Sequence, residues 1–158
     1  RKKQITMERK SMEKVRNTIF ITIVIFIVSI SLLYSYLFPN SQIPISNNIE
    51  IALGIKNNRN YILLLNKSID GDSISLSKFL KIDYIYDAAA YDHGYILLQL
   101  LEKIGDTQLS KELQKLNKTE IKTVQNYFNL GVDGIDSQEV QQLQKNYPKS
   151  FEILKIRK

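Results

Sequence analysis

The single histidine of this 158-residue chain, His93, lies in the run Tyr84-Ile85-Tyr86-Asp87-Ala88-Ala89-Ala90-Tyr91-Asp92-His93-Gly94-Tyr95. Four tyrosines and the carboxylates Asp83, Asp87 and Asp92 crowd around it. An imidazole titrates near neutrality and a neighbouring carboxylate fixes its tautomer, so general acid–base chemistry would have to sit in this run. No Ser or Lys stands at a nucleophile-like spacing from it. The same composition serves recognition, because Tyr supplies contact area at low cost in conformational entropy. Tyr84, Tyr86, Asp87, Tyr91, Asp92, His93 and Tyr95 are therefore read as a partner-binding surface, and an enzyme centred on His93 is the alternative. The plainest reading makes His93 a turn residue between two helices.

Other chemistries are narrowed by what the chain lacks. With no cysteine there is no disulfide, thiolate metal site or cysteine nucleophile, and one histidine excludes any site needing two imidazoles. No phosphate-binding glycine loop, dinucleotide fingerprint, nucleophile elbow or H-E-x-x-H is present. No metal and no cofactor is expected, and binding is favoured over catalysis. The carboxylates of Gly131–Glu139 invite a calcium reading. With Asn129 as the first position of a calcium loop, however, Val140 falls where the closing Glu is required. A turn followed by a helix cap explains the stretch better. Gln125 and the turn Val132-Asp133-Gly134-Ile135 resemble the corresponding features of peptidoglycan-binding domains, although Ser137 stands where those carry Gly. That resemblance, over Val124–Leu143, implies a wall-binding alternative through Gln125, Val132, Asp133 and Gly134.

The elements that must position these residues begin at a membrane. Formal net charge is +6, but it is concentrated in Arg1, Lys2, Lys3, Arg9, Lys10, Lys14 and Arg16, set against Glu8 and Glu13. The remainder is nearly neutral, so a nucleic-acid partner is not expected. Thr18–Phe38 then runs for 21 residues without a charge, Gly or Pro. As a helix it spans about 31 Å, close to the hydrocarbon thickness of a bilayer. It is longer than the apolar region of a cleavable signal and lacks a small-residue exit, so a signal anchor is expected. The basic flank precedes the span and no Lys or Arg follows until Lys56, which predicts a cytoplasmic N-terminus and an extracytoplasmic remainder at the plasma (inner) membrane. The arm is then expected to attract anionic headgroups, at about 1 kcal/mol per basic residue. An opening Arg1 rather than Met is expected of a trimmed or partial chain.

Residues 39–48 read as a linker and 49–158 as one small all-α domain. Ile85, Ala88, Ala89, Ile96, Leu97, Leu100, Leu101 and Ile104 recur at helical spacing, interrupted at Gly94 and stopped at Gly105. Asp106 or Thr107, Asn117 or Thr119, and Asp136 with Glu139 read as caps of three further helices, the second of which Gly131 closes. Ser73 or Ser75 caps a short one. Ile49–Leu65 is open between a β-hairpin turning at 56–60 and a helical hairpin. A shift of 36 residues lays Ala52 on Ala88, Asn58 on Gly94 and Leu65 on Leu101, which favours helical hairpins.

Ala89–Asp106, with Ala89-Ala90, a His93-Gly94 turn, Leu100-Leu101 and Gly105, resembles an ankyrin repeat. Tyr84-Ile85-Tyr86-Asp87 stands where that family has Thr-Pro-Leu-His. The resemblance implies an interaction scaffold. The expectation is thus a single-pass protein with a transmembrane helix and an outer domain of stacked helical hairpins, acting as an accessory subunit of an envelope complex. Its expected partners are the bilayer and another protein, with peptidoglycan as the alternative.

Overall fold

The computed structural model describes residues 2–156, with side chains at residue 12 and from 14 onward. Among the described residues every regular element is an α-helix. The chain divides into two units, Arg1–Phe38 and Pro39–Lys158.

The first unit is α1, Lys2–Leu37. The segment Lys14–Leu37 is long and apolar enough to cross a membrane, and none of its most apolar stretch is buried. The hydroxyls of Thr18, Thr22 and Ser29 donate to the carbonyls of Lys14, Thr18 and Ile25, each at 2.9 Å, so these three polar groups are satisfied within the helix. Pro39, with no N–H and a clash against the preceding turn, follows the helix end. At its other end α1 extends beyond the expected span. Lys, Arg, Gln, Met and Glu are all good helix formers, so the basic arm continues the helix rather than breaking it.

The second unit holds seven helices: α2 (Asn47–Ile69), α3 (Ser73–Leu80), α4 (Asp87–Ile104), α5 (Asp106–Leu113), α6 (Lys118–Asp133), α7 (Ser137–Asn146) and α8 (Pro148–Leu154). The long helix α4 packs against α2 on one side and α6 on the other; the short helix α5 packs against α3, α4 and α8. The core runs through this arrangement from Ile43, Ile49 and Leu65 through Leu76, Phe79, Leu97 and Leu101 to Phe128 and Leu154.

Caps fix most of the boundaries. Asp72 opens α3 by accepting from the Ile74 and Ser75 amides, where Ser73 or Ser75 was the expected cap. Asn117 and Glu120 form a reciprocal capping box on α6, and Asp136 accepts from the Gln138 and Glu139 amides of α7. Gly105, at φ 81°, ends α4 as expected. Asp106 does not cap α5. Its carboxylate accepts instead from the Lys149 and Ser150 amides, at 3.0 and 2.8 Å, and so caps α8, whose own N-cap residue, Tyr147, offers no side chain for the purpose.

Three expectations are corrected. Residues 56–60 do not turn; they lie inside α2, which breaks instead at Gly54 (φ 61°, ψ 175°), a conformation that only glycine adopts at little cost. Gly94 does not interrupt its helix, and α4 runs through His93-Gly94 without a turn. The ankyrin-like reading needs a break there and finds no support in the helix pattern. Gly131 does not close α6, which continues to Asp133. The last two glycines share one cause. A Cβ built on Gly94 would collide with the Tyr127 carbonyl oxygen and come within 2.6 Å of the Gly131 nitrogen; one on Gly131 would lie 2.5 Å from the Gly94 carbonyl oxygen. The two helices cross in backbone contact, and both residues are glycine because nothing larger fits.

Candidate functional site

His93 projects into the core, not onto a surface; it is 1% exposed. Its Nδ1 lies 2.8 Å from the Tyr61 hydroxyl oxygen, which donates to the bare nitrogen when the neutral ring carries its proton on Nε2. The Tyr127 ring meets it edge-on at 4.6 Å between centroids, and Phe79 does so at 5.5 Å. Burial holds the imidazole neutral by lowering its pKa to about 3. Burial, with smaller contributions from Tyr84, Tyr127 and Asp92, raises the Tyr61 phenol well above its ordinary value. Tyr127 is anchored too. Its hydroxyl donates to the Ile85 carbonyl at 2.9 Å and accepts from the Ile85 amide at 3.3 Å. The result is a hydrogen-bonded aromatic cluster that ties α2, α4 and α6 together. His93 is therefore removed from both sequence readings: it cannot touch a partner, and it is out of reach of a substrate in solution.

Asp92 is half-buried and also turned inward. Its Oδ2 accepts from the Ser46 hydroxyl at 2.6 Å and from the Asn48 side-chain amide at 2.8 Å. Ser46 in turn caps α2 through the Ile49 amide. Asp92 thus latches the entry of α2 onto α4 and is not free to bind a partner.

The remaining residues of that run face outward. Tyr84, Tyr86, Tyr91 and Tyr95 are 49%, 68%, 53% and 47% exposed. Ala88, Tyr91 and Tyr95 fall at i, i+3 and i+7, the outer stripe of α4. Beside this stripe, the first turns of α2 and the N-terminus of α4 frame an open cleft of about 200 Å³, lined by Asn48, Ile51, Ala52, Tyr86, Asp87 and Ala88. Ile51 is 81% exposed, the most exposed large apolar side chain described, and Ile55, just past the break at Gly54, is exposed too. These α2 residues were missed in the sequence because Ile49, Ile51, Leu53 and Ile55 alternate as a strand does. In the helix, Ile49 and Leu53 face the core while Ile51 and Ile55 are left outside. Asp87 sits at the cleft mouth in the left-handed region, φ 53°, which Asp tolerates better than most residues. Its carboxylate accepts no hydrogen bond and forms no ion pair within the described chain.

The C-terminal candidates do not converge. Gln125 is half-buried on α6, Val132 is buried in the core, and Asp133 and Gly134 are exposed at the helix end. Val132 therefore cannot contact a wall polymer. A further polar cluster went unread in the sequence: buried Glu112 accepts from Ser73 at 2.9 Å and from Lys115 at 2.5 Å, which ties the start of α3 to α5. Among the described residues no three His, Asp or Glu side chains converge as a metal site would require. Of the basic arm, Arg1 lies outside the described residues, as do the side chains of Lys2, Lys3, Arg9 and Lys10; Lys14 and Arg16 are exposed on α1. Comparison with known proteins returns no matching family model, no matching curated protein and no matching solved structure.

Proposed function

We propose that this chain is a signal-anchored, single-pass membrane protein whose helical domain works by binding another protein, as a non-enzymatic accessory subunit of a membrane or envelope complex. One observation carries the reading. The domain buries most of its aliphatic residues, yet besides Ile74 on α3 it leaves Tyr84 and Tyr86 just before α4, Tyr91 and Tyr95 on α4, and Ile51 and Ile55 on α2 exposed. Scattered exposed apolar residues are ordinary, but a concentrated aromatic patch marks an interaction surface. The apolar Lys14–Leu37 segment supports anchoring. The excess of Lys and Arg before it, and their absence after it until Lys56, supports a cytoplasmic N-terminus and an extracytoplasmic domain.

Orientation is tested with the two native N-x-[ST] sequons, Asn66-Lys67-Ser68 and Asn117-Lys118-Thr119. Translation into microsomes should add at least one glycan that Asn66→Gln with Asn117→Gln abolishes; an unglycosylated, membrane-inserted product would place the domain on the other side. The binding role is tested by mild detergent extraction from native membranes. A stoichiometric partner should co-purify with the wild-type chain and be lost with Tyr91→Ser/Tyr95→Ser. Recovery of the chain alone would overturn the proposal.

A further inference from the structure

The charge around the exposed patch is one-sided. Residues 39–55 and 82–102, which together build the cleft and the outer face of α4, contain Glu50, Asp83, Asp87, Asp92 and Glu102 and not one Lys or Arg. All fifteen basic residues of the second unit lie in the rest of it. In a domain that is nearly neutral as a whole these segments are locally acidic, bounded in sequence by Lys56, Lys81 and Lys103. An excess of carboxylate disfavours anionic lipid and wall polymer and favours cations, over a Debye length of about 8–10 Å.

We propose that the cleft between α2 and α4 receives one arginine side chain from a cationic segment of another protein. The inference rests on the protein-binding reading above and names the chemistry of the partner. Three features of the cleft carry it. Small residues, Ala52, Ala88 and the buried Ala89, are part of its lining, and its open volume of about 200 Å³ suits one long side chain. Its sides, Ile51 and Tyr86, are apolar and strongly exposed, so they offer packing for a methylene stem and an aromatic face for a planar cation. At its mouth the Asp87 carboxylate has no partner within the described chain and is held there by a left-handed backbone conformation that an ordinary helix start does not need. A carboxylate beside an aromatic ring matches a guanidinium better than an ammonium, because the planar fork hydrogen-bonds and stacks at once. Asp92 does not compete, since Ser46 and Asn48 already occupy it.

The test uses the full chain in nanodiscs of neutral lipid and two blocked pentapeptides, Ac-Ala-Leu-Arg-Leu-Ala-NH2 and the same peptide with citrulline, the uncharged isostere, in place of Arg. Binding is read by isothermal calorimetry at low salt and again at high salt. The arginine peptide should bind at least about tenfold more tightly than the citrulline peptide, with the advantage shrinking as salt rises. Asp87→Asn should bring the two peptides to equal affinity, and Ala88→Leu, which fills the exposed cleft, should weaken the arginine peptide comparably. Helical circular dichroism of both variants is expected to match the wild type. Equal binding of the two peptides by the wild type, no binding of either, or an Asp87→Asn chain that keeps the preference would each overturn the arginine site. The co-purification result is independent of these outcomes: a partner that is retained by an Asp87→Asn chain but lost with Tyr91→Ser/Tyr95→Ser would leave the protein-binding role standing and remove only the arginine.

Discussion

The two faces of α4 put the same residue type to opposite uses. On the inner side, His93 and Gly94 meet Tyr61 and Tyr127, two tyrosines whose hydroxyls are satisfied and whose rings are buried. On the outer side, Ala88 is exposed and Tyr91 and Tyr95 keep about half their surface in solvent. A tyrosine in the core is tolerated because its hydroxyl finds a partner, and it then specifies how three helices register. A tyrosine on the surface contributes little to folding and keeps its area available for something else. Stability and recognition are thus separated across the width of one helix.

Substitutions on the two faces should therefore behave differently. The largest effect is expected at the glycine crossing. Gly94→Val would force α4 and α6 apart at backbone contact and should cost about 3 kcal/mol or more, read as a lowered denaturant midpoint or loss of a cooperative transition. A mild effect would mean the helices can separate without disturbing the inner face.

Acid should act on the same face. In the unfolded chain His93 takes up a proton near pH 6.5, but in the folded domain it does so only near pH 3. The unfolded state therefore binds more protons between these values. The stabilisation from the neutral buried ring is complete above pH 6.5 and is lost as pH falls toward 3, with a slope of up to about 1.4 kcal/mol per pH unit. Carboxyls that the fold holds below their ordinary range, Glu120 and Asp106 among them, begin to contribute below about pH 5, so the window from about 6.5 to 5 isolates the histidine. Urea midpoints across it should fall in the wild type and stay flatter in His93→Gln.

Tyr61→Phe removes the hydroxyl facing His93 Nδ1 and should cost about 1–3 kcal/mol, since a buried ring nitrogen is left without its partner. The smallest effect belongs to the outer face. Tyr91→Ser with Tyr95→Ser should change unfolding stability by no more than about 0.5 kcal/mol while abolishing partner recovery. A large loss of stability there would erase the distinction between the faces.

Local chemistry was legible where a helix end is decided by neighbours in sequence. The Asn117–Glu120 box, the Asp136 cap and the Gly105 stop could be read directly, because each rests on hydrogen bonds within a few residues or on glycine's access to positive φ. Pro148 opens α8 as its first residue, where its missing N–H costs nothing. The carboxylate that caps that helix comes from Asp106, 43 residues earlier for the Lys149 amide, so no local pattern announced it. Partial burial pushes the Asp106 carboxyl up, but bonds from the Ser150 side chain and the Ser150 and Lys149 amides outweigh this and hold it below the ordinary range.

The amino-acid sequence by itself determined the helical class, the apolar N-terminal helix with its basic flank, and the tyrosine-rich run as the place to look. Composition, periodicity and capping act over short stretches of chain, so one strand of text contains them. Only the tertiary structure decided which way that run points. His93 and Asp92 turn inward, Tyr86, Asp87, Tyr91 and Tyr95 remain outside, and Ile51 and Ile55 join them from a helix that alternation disguised. Gly94 and Gly131 carry the same lesson. A glycine at a turn and a glycine at a helix crossing look alike in sequence, and only the approach of a second backbone, here within the width of a missing methyl group, tells them apart.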